Sequence, residues 1–324
     1  MTKPRSSEWA KIALLRSILE GPPDPRVLLG IGDDAALLSP PQGLLVWTVD
    51  TAVEGVHFRR DLLTMDDIGY RATMAAASDL AAMGAAPLGL LAALILPADF
   101  SDEDLAALAH GQRTAADALG SALIGGNLAR GRELSLSTTA LGSAPRPLTR
   151  GGARPGDALW IAGPVGLAGA GLVLLLAGAP LGSAAAQAAV EAFRRPRARI
   201  AEGLRAAPIA RAAIDVSDGL AQDLGHLARA SGVRAVLAAA SLCTPALVAA
   251  AAELGRDPLD LALHGGEDYA LVVALPRGEA LPGFQRIGQI EGHEGNPGEL
   301  LLEDPSGARR ALVAGGYDHF PPRS

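Results

Sequence analysis

The chain has 324 residues, nearly half of them hydrophobic, which is enough for two domains with sizeable cores. A formal charge of −7 without a basic stripe argues against a nucleic-acid partner, and the single cysteine, Cys243, excludes an intramolecular disulfide and any cysteine-cluster zinc site. The only two lysines, Lys3 and Lys11, stand near the N-terminus, so a P-loop is excluded and positive charge at a site must come from arginine, helix N-termini or metals.

In chain order, a first helix is predicted over residues 7–19, stopped by Gly21-Pro22-Pro23. Residues 1–20 alternate charged and apolar side chains, so no secretory signal is expected there and a reducing cytoplasm fits. Strands are predicted over 27–32, 44–50 and 88–96. Thr64 with Asp67 three residues later opens a long Ala-rich helix to Met83, and Ser101 with Asp104 opens another that ends near Gly120. Residues 134–141 alternate like a half-exposed strand. The Pro-, Gly- and Arg-rich segment 145–157 is the best domain boundary, giving α/β domains over 1–145 and 146–324. The second domain reads as a strand at 158–162, helices from Gly166 to about Arg205, a strand at 213–216, a helix after Ser217-Asp218-Gly219, and strands at 270–275 and 286–290. The apolar stretch 165–190 is broken repeatedly by Gly, Pro, Ser and Gln, so it reads as a packed helix pair rather than a membrane span.

Acidic residues recur beside glycines or at the ends of apolar runs, where a carboxylate is costly unless something positive compensates it. Asp33 and Asp34 end a strand in Gly-Ile-Gly-Asp-Asp (30–34); a turn with a helix cap is the ordinary reading, a metal ligand the sharper one. Asp50 interrupts an apolar strand, where Asp is disfavoured, and Asp79 lies inside an Ala/Met/Leu helix. Asp215 and Asp218 flank Ser217 at a strand-to-helix turn, with Ser217 expected to cap the helix while the carboxylates address a shared ion. Gly-Gly-Glu-Asp-Tyr (265–269) reads as a functional loop. The glycines at 163, 166, 169 and 171 lack the dinucleotide spacing, leaving close helix packing or a phosphate contact. His57 either orients substrate or closes a strand edge, and Arg150 is either a phosphate clamp or a solvated linker charge. Carboxylates and glycines together suit Mg²⁺ ions and a polyphosphate.

Taken jointly, Gly-Ile-Gly-Asp-Asp-Ala-Ala (30–36), Thr-Val-Asp-Thr-Ala-Val-Glu-Gly-Val-His-Phe (48–58), Ser-Asp-Leu-Ala-Ala-Met-Gly-Ala (78–85), Ile-Gly-Gly-Asn (124–127), Arg-Gly-Gly-Ala-Arg-Pro-Gly-Asp (150–157), Ile-Asp-Val-Ser-Asp-Gly-Leu (214–220), Gly-Gly-Glu-Asp-Tyr (265–269) and Gly-Tyr-Asp-His-Phe (316–320) resemble the thiamine-monophosphate kinase family of the aminoimidazole ribonucleotide synthetase-like superfamily. The resemblance runs over essentially the whole chain. It implies a two-domain α/β (α+β) fold whose N-terminal domain pairs across a homodimer. It also implies γ-phosphoryl transfer from ATP to thiamine monophosphate with several Mg²⁺ ions. By the same resemblance Asp33, Thr48, Asp50, Asp79, Asn127, Asp215 and Asp218 would hold metal. Gly126, Asn127, Arg150 and Ser217 would contact ATP, and His57, Glu267 and Tyr317 the thiamine moiety. Two positions depart from the family pattern: Asn127 stands where Asp is usual, which removes one negative charge, and Val49 where a hydroxyl residue is common. The competing readings are a sister enzyme of the superfamily with another acceptor, and a nucleotide- and Mg²⁺-binding regulator without turnover, motivated by Asn127.

Overall fold

The computed structural model describes residues 7–293, 297–313 and 315–316. It divides into two compact units, one of Met1–Leu80 with Ala85–Pro145 and one of Ala81–Gly84 with Arg146–Ser324.

The first unit runs α1 (Glu8–Leu19), β1 (Val27–Leu29), β2 (Leu37–Leu38), β3 (Leu44–Val53), α2 (Met65–Ala82), β4 (Ala86–Leu96), α3 (Asp102–Ala118), β5 (Leu123–Arg130) and β6 (Ser135–Ala144). Side-chain caps begin its helices. Ser7 accepts from the Ala10 amide, and Ser101 from that of Asp104 at 3.0 Å. At α2 the bonds are reciprocal: Thr64 Oγ1 accepts from the Asp67 amide at 3.1 Å, while Asp67 Oδ2 accepts from the Thr64 amide at 3.2 Å. Four strands form a sheet in the order β3-β6-β4-β5, parallel only between β4 and β5.

Alternation along those strands gives the sheet two unlike faces. Val46, Leu90, Leu94, Leu136 and Ala140 are buried on one face. On the other, Leu45, Trp47, Val49, Leu91 and Ile95 are exposed, Trp47 by 72%. The register joins them: Val49 pairs with Thr139 and Thr139 with Leu91, while Trp47 pairs with Leu141.

The second unit runs β7 (Ala158–Ala162), α4 (Leu167–Leu176), α5 (Ala184–Arg194), α6 (Ile200–Ala206), β8 (Ala212–Val216), α7 (Leu220–Ser231), β9 (Arg234–Ala238), α8 (Pro245–Leu254), α9 (Pro258–His264), β10 (Ala270–Leu275), β11 (Gln285–Glu291), β12 (Leu300–Glu303) and β13 (Arg309–Leu312). Its seven strands are ordered β13-β12-β9-β11-β7-β10-β8, with only β12 and β9 parallel. Every residue of β10, which is paired on both sides by β7 and β8, is buried, as its continuous apolar run requires. Leu159 and Ile161 of β7 join the core shared with α4, α5, α7, α8 and α9, while Ala162 and the neighbouring Trp160 pack into a smaller core with Ala206 and Leu271.

The apolar stretch 165–190 is the helix pair α4 and α5, and a Cβ on Gly171 would lie 2.1 Å from the Ala189 carbonyl oxygen. Backbone contact that close needs glycine. Among the described residues no helix is long and apolar enough to cross a membrane.

Candidate functional site

In the first unit, Thr48 and Asp50 are alternate residues of β3 and therefore share a face. Asp79 of α2 meets that face: the Thr48 hydroxyl donates to Asp79 Oδ2 at 2.5 Å. The Asp in the apolar helix thus takes a partner across the layer and does not point to solvent. Asp50 is exposed, with Oδ1 accepting from the Thr51 amide at 2.8 Å. The register sets Asp50, Thr138, Ala92 and Gly126 in one row across the sheet, and Thr138 is fully buried with a hydroxyl that has no hydrogen-bond partner. Asn127 falls in the next row, with Ala93, Ser137 and Thr51, on the opposite face from Asp50. Gly126 has a packing reason of its own, since a Cβ there would lie 2.0 Å from the Ala92 carbonyl oxygen.

Asp33 is exposed and its Oδ1 accepts from the Asp34 amide at 2.8 Å, a local turn contact. The Arg16 guanidinium of α1 lies over the preceding Gly32, whose φ of 125° only glycine adopts readily. His57 is half-buried, and its Nδ1 accepts from the Val53 amide at 3.1 Å. With Nδ1 accepting, the neutral ring keeps its proton on Nε2, which is then a donor.

In the second unit, β8 carries Asp215 to the start of α7. Sequence reasoning expected Ser217 to cap that helix; instead Gly219 stands at the N-cap without a side-chain bond. Asp223, inside the first turn, does the work in reverse by accepting from the amides of Ser217 at 3.0 Å and Asp218 at 3.1 Å. A carboxylate within the helix thereby fixes the loop before it. Burial first, then the charges of Asp215 and Asp218, push the Asp223 carboxyl up to about 7. Arg150 stands near this group: burial, then Arg150 and Arg229, lower the His226 imidazole, while Asp218 acts on it in the opposite direction.

The loop before β10 lies against the same strand end. Glu267 donates its amide to the Ser217 carbonyl at 2.7 Å, and Tyr269 to that of Val216 at 2.8 Å. Between them the buried Asp268 accepts from the Gly166 amide at 2.6 Å and that of Ala168 at 3.2 Å. The N-terminal amides of α4 are therefore occupied by a carboxylate, and a Cβ on Gly166 or Gly169 would collide with the backbone of Ala262 or Gly265. Of the two readings open for the glycine run, close packing is the one realised. Tyr317 lies outside the described residues.

Magnesium favours oxygen donors, keeps several waters or phosphates, and needs only a few carboxylates from protein. Asp215, Asp218 and Asp223 repel one another and match that demand for positive charge. So does the Thr48 and Asp79 oxygen pair beside Asp50. Among the described residues no three His, Cys, Asp or Glu side chains converge on one point, so these are neighbours rather than a closed cage. A cavity of about 790 Å³ in the second unit, lined by Trp160, Arg277, Arg286 and Glu291 among others, contains none of the predicted site residues.

The AIR synthase related protein N-terminal domain matches residues 32–144, and the corresponding C-terminal domain matches 154–294. The thiamine-monophosphate kinase of Mycobacterium tuberculosis is 37% identical over 89% of this chain and 86% of its own. The chain belongs to the thiamine-monophosphate kinase family. Two solved structures of the family agree in fold. The thiamine-monophosphate kinase of Stenotrophomonas maltophilia has a TM-score of 0.79 at 39% identity, covering 92% of this chain and 96% of its own. AaThiL complexed with AMPPCP and TMP has a TM-score of 0.80 at 30% identity, covering 97% of both. Placement beside glycines or in apolar runs brought the acidic residues to notice, Asp268 among them as part of the 265–269 loop but without its bonds to the Gly166 and Ala168 amides. Asp223, which fixes the loop before its own helix, escaped. The one sequence signal for Asp223 was an acid in the first turn of a helix whose cap is a glycine.

Proposed function

We propose that the chain transfers the γ-phosphoryl group of ATP to the phosphate of thiamine monophosphate, giving thiamine diphosphate. What carries the reading is identity of 37 to 39% to named thiamine-monophosphate kinases along about nine-tenths of the chain. A family structure also holds AMPPCP and TMP. In the first unit Asp33, Thr48, Asp50, Asp79 and Asn127 would hold Mg²⁺, with Gly126 and Asn127 against ATP. In the second unit Asp215 and Asp218 would hold Mg²⁺, with Arg150 and Ser217 against ATP. His57, Glu267 and Tyr317 would address thiamine. Bound magnesium supplies the charge neutralisation that lets two phosphates approach each other.

The residues supply position. Arg150 offers a planar fork of donors suited to phosphate oxygens. His57 presents Nε2–H, and Glu267 places negative charge for the cationic ring of thiamine. The acceptor is already an anion, so no general base is required, which suits a chain with carboxylates and almost no lysine. The exposed apolar face of Leu45, Trp47, Val49, Leu91 and Ile95 fits a second copy of the chain, because a two-fold axis sets the same patch of both copies together and removes both from water. A homodimer working in the cytoplasm is the resulting picture.

The test is incubation of the purified protein with ATP, Mg²⁺ and thiamine monophosphate, with thiamine diphosphate followed by chromatography and thiamine and aminoimidazole precursors as controls. Product from the monophosphate alone is expected. Binding of ATP without product would instead support the regulator or a sister enzyme.

A further inference from the structure

Among the described residues only two that are not glycine have positive φ, Glu267 at 61° and Tyr269 at 47°. With Gly266 at 65°, three of the four residues 266–269 have left-handed backbone, which L side chains rarely adopt. Such strain persists only where the surroundings over-determine it, and it gathers at sites where a side chain must be aimed. Four bonds hold it here: the amides of Glu267 and Tyr269 on the carbonyls at the end of β8, and the Asp268 carboxylate on the amides of Gly166 and Ala168. Asp268 is turned inward and buried, whereas Glu267 and Tyr269 are half-buried and meet each other, the Tyr269 hydroxyl donating to Glu267 Oε2 at 3.1 Å.

We propose that Tyr269 is a positioning residue for the bound thiamine monophosphate: its phenol holds the Glu267 carboxylate in the orientation that meets the cationic ring. The inference rests on the reading of Glu267 as a thiamine contact. A glutamate on free torsions loses that freedom on binding, and a donor that fixes it beforehand removes part of the cost. The bond is charge-assisted, and a carboxylate has roughly four acceptor sites, so one phenol leaves it able to face a ligand. The pair stands two residues apart and meets on one side, while Asp268 between them turns inward to the amides of Gly166 and Ala168.

Calorimetric titration of thiamine monophosphate, with Mg²⁺ and AMPPCP present, tests it in the natural chain, Tyr269→Phe, Glu267→Gln and the double variant. Tyr269→Phe is expected to weaken thiamine monophosphate binding about five- to tenfold, to leave AMPPCP binding unchanged, and to have almost no effect once Glu267→Gln is present. Equal weakening in both backgrounds would overturn the proposal, because the phenol would then act independently of Glu267. So would a Tyr269→Phe protein that binds normally while Glu267→Gln does not, or one that fails to fold, which would make the phenol a structural bond. If Glu267→Gln itself binds thiamine monophosphate normally, the assignment of Glu267 is wrong and the proposal falls with it.

Discussion

Asp50 stands exposed on β3 while Asp268 is buried against the first turn of α4, and their charges answer to different things. No packing is lost when Asp50 becomes Asn, so the fold should be indifferent and any metal it holds should not be. Asp50→Asn is expected to lower kcat/KM by about a hundredfold or more with an unchanged thermal midpoint; steady-state kinetics beside a melting curve checks both. Asp268 behaves otherwise. Burial, reinforced by Glu267, raises its carboxyl to about 7 against the two amide bonds that favour the anion. A raised pKa means the folded chain binds this proton more tightly than the unfolded one. Its contribution is therefore full below about pH 4 and is lost as pH rises through about 7, by at most about 1.4 kcal/mol per pH unit. Asp268→Asn, which cannot ionise, is expected to flatten the dependence of stability on pH between about 4 and 7, measured by urea unfolding. The acidic residues were visible in the sequence because a carboxylate beside glycines or inside an apolar run is conspicuous. Their partners were not, since Thr48 to Asp79 and Asp268 to Gly166 join segments far apart in the chain that no spacing reveals.

Between elements, α2 and α3 touch backbone to backbone through a reciprocal pair of glycines. A Cβ on Gly69 would lie 2.1 Å from the Leu108 carbonyl oxygen, and one on Gly111 would lie 1.9 Å from that of Asp66. No rotamer change relieves a clash with a carbonyl, so the helices must part. Gly111→Ala is therefore expected to destabilise by roughly 1–3 kcal/mol even though alanine is the better helix former, and denaturant titration measures it. In the first unit helix starts were legible because the caps are local: Thr64 and Ser101 accept the bonds their spacing predicts, and Ser7 caps α1. In the second unit Ser217 does not make the cap expected of it, and α8 and α9 were missed. Strand β5 was missed, as Gly125 and Gly126 weaken its propensity and the ladder slips between Leu90 and Leu91. Strands β9, β12 and β13 were missed as well. They are short, and pairing across the sheet rather than their own pattern makes them strands.

At the scale of the whole molecule, the exposed face of the four-stranded sheet is the feature that a lone chain leaves unexplained. Trp47, on the edge strand β3, is the residue of that face most costly to leave in water. Trp47→Glu places a charge within this apolar face, so sedimentation is expected to show a dimer for the natural chain and a monomer for the variant. The periodicity of β3 did not disclose this face, because a strand exposed on one side and a strand covered by a second copy read alike as sequence. The chain has three tryptophans, and they sample three settings: Trp9 is 79% exposed on α1, Trp47 lies on the open face, and Trp160 is half-buried in the second unit. Indole fluorescence moves to longer wavelength as the ring enters water. If that face pairs with a second copy, dilution through the dissociation range should redden the emission through Trp47 while Trp9 and Trp160 stay constant, and Trp47 would then serve as an optical gauge of assembly that needs no added dye.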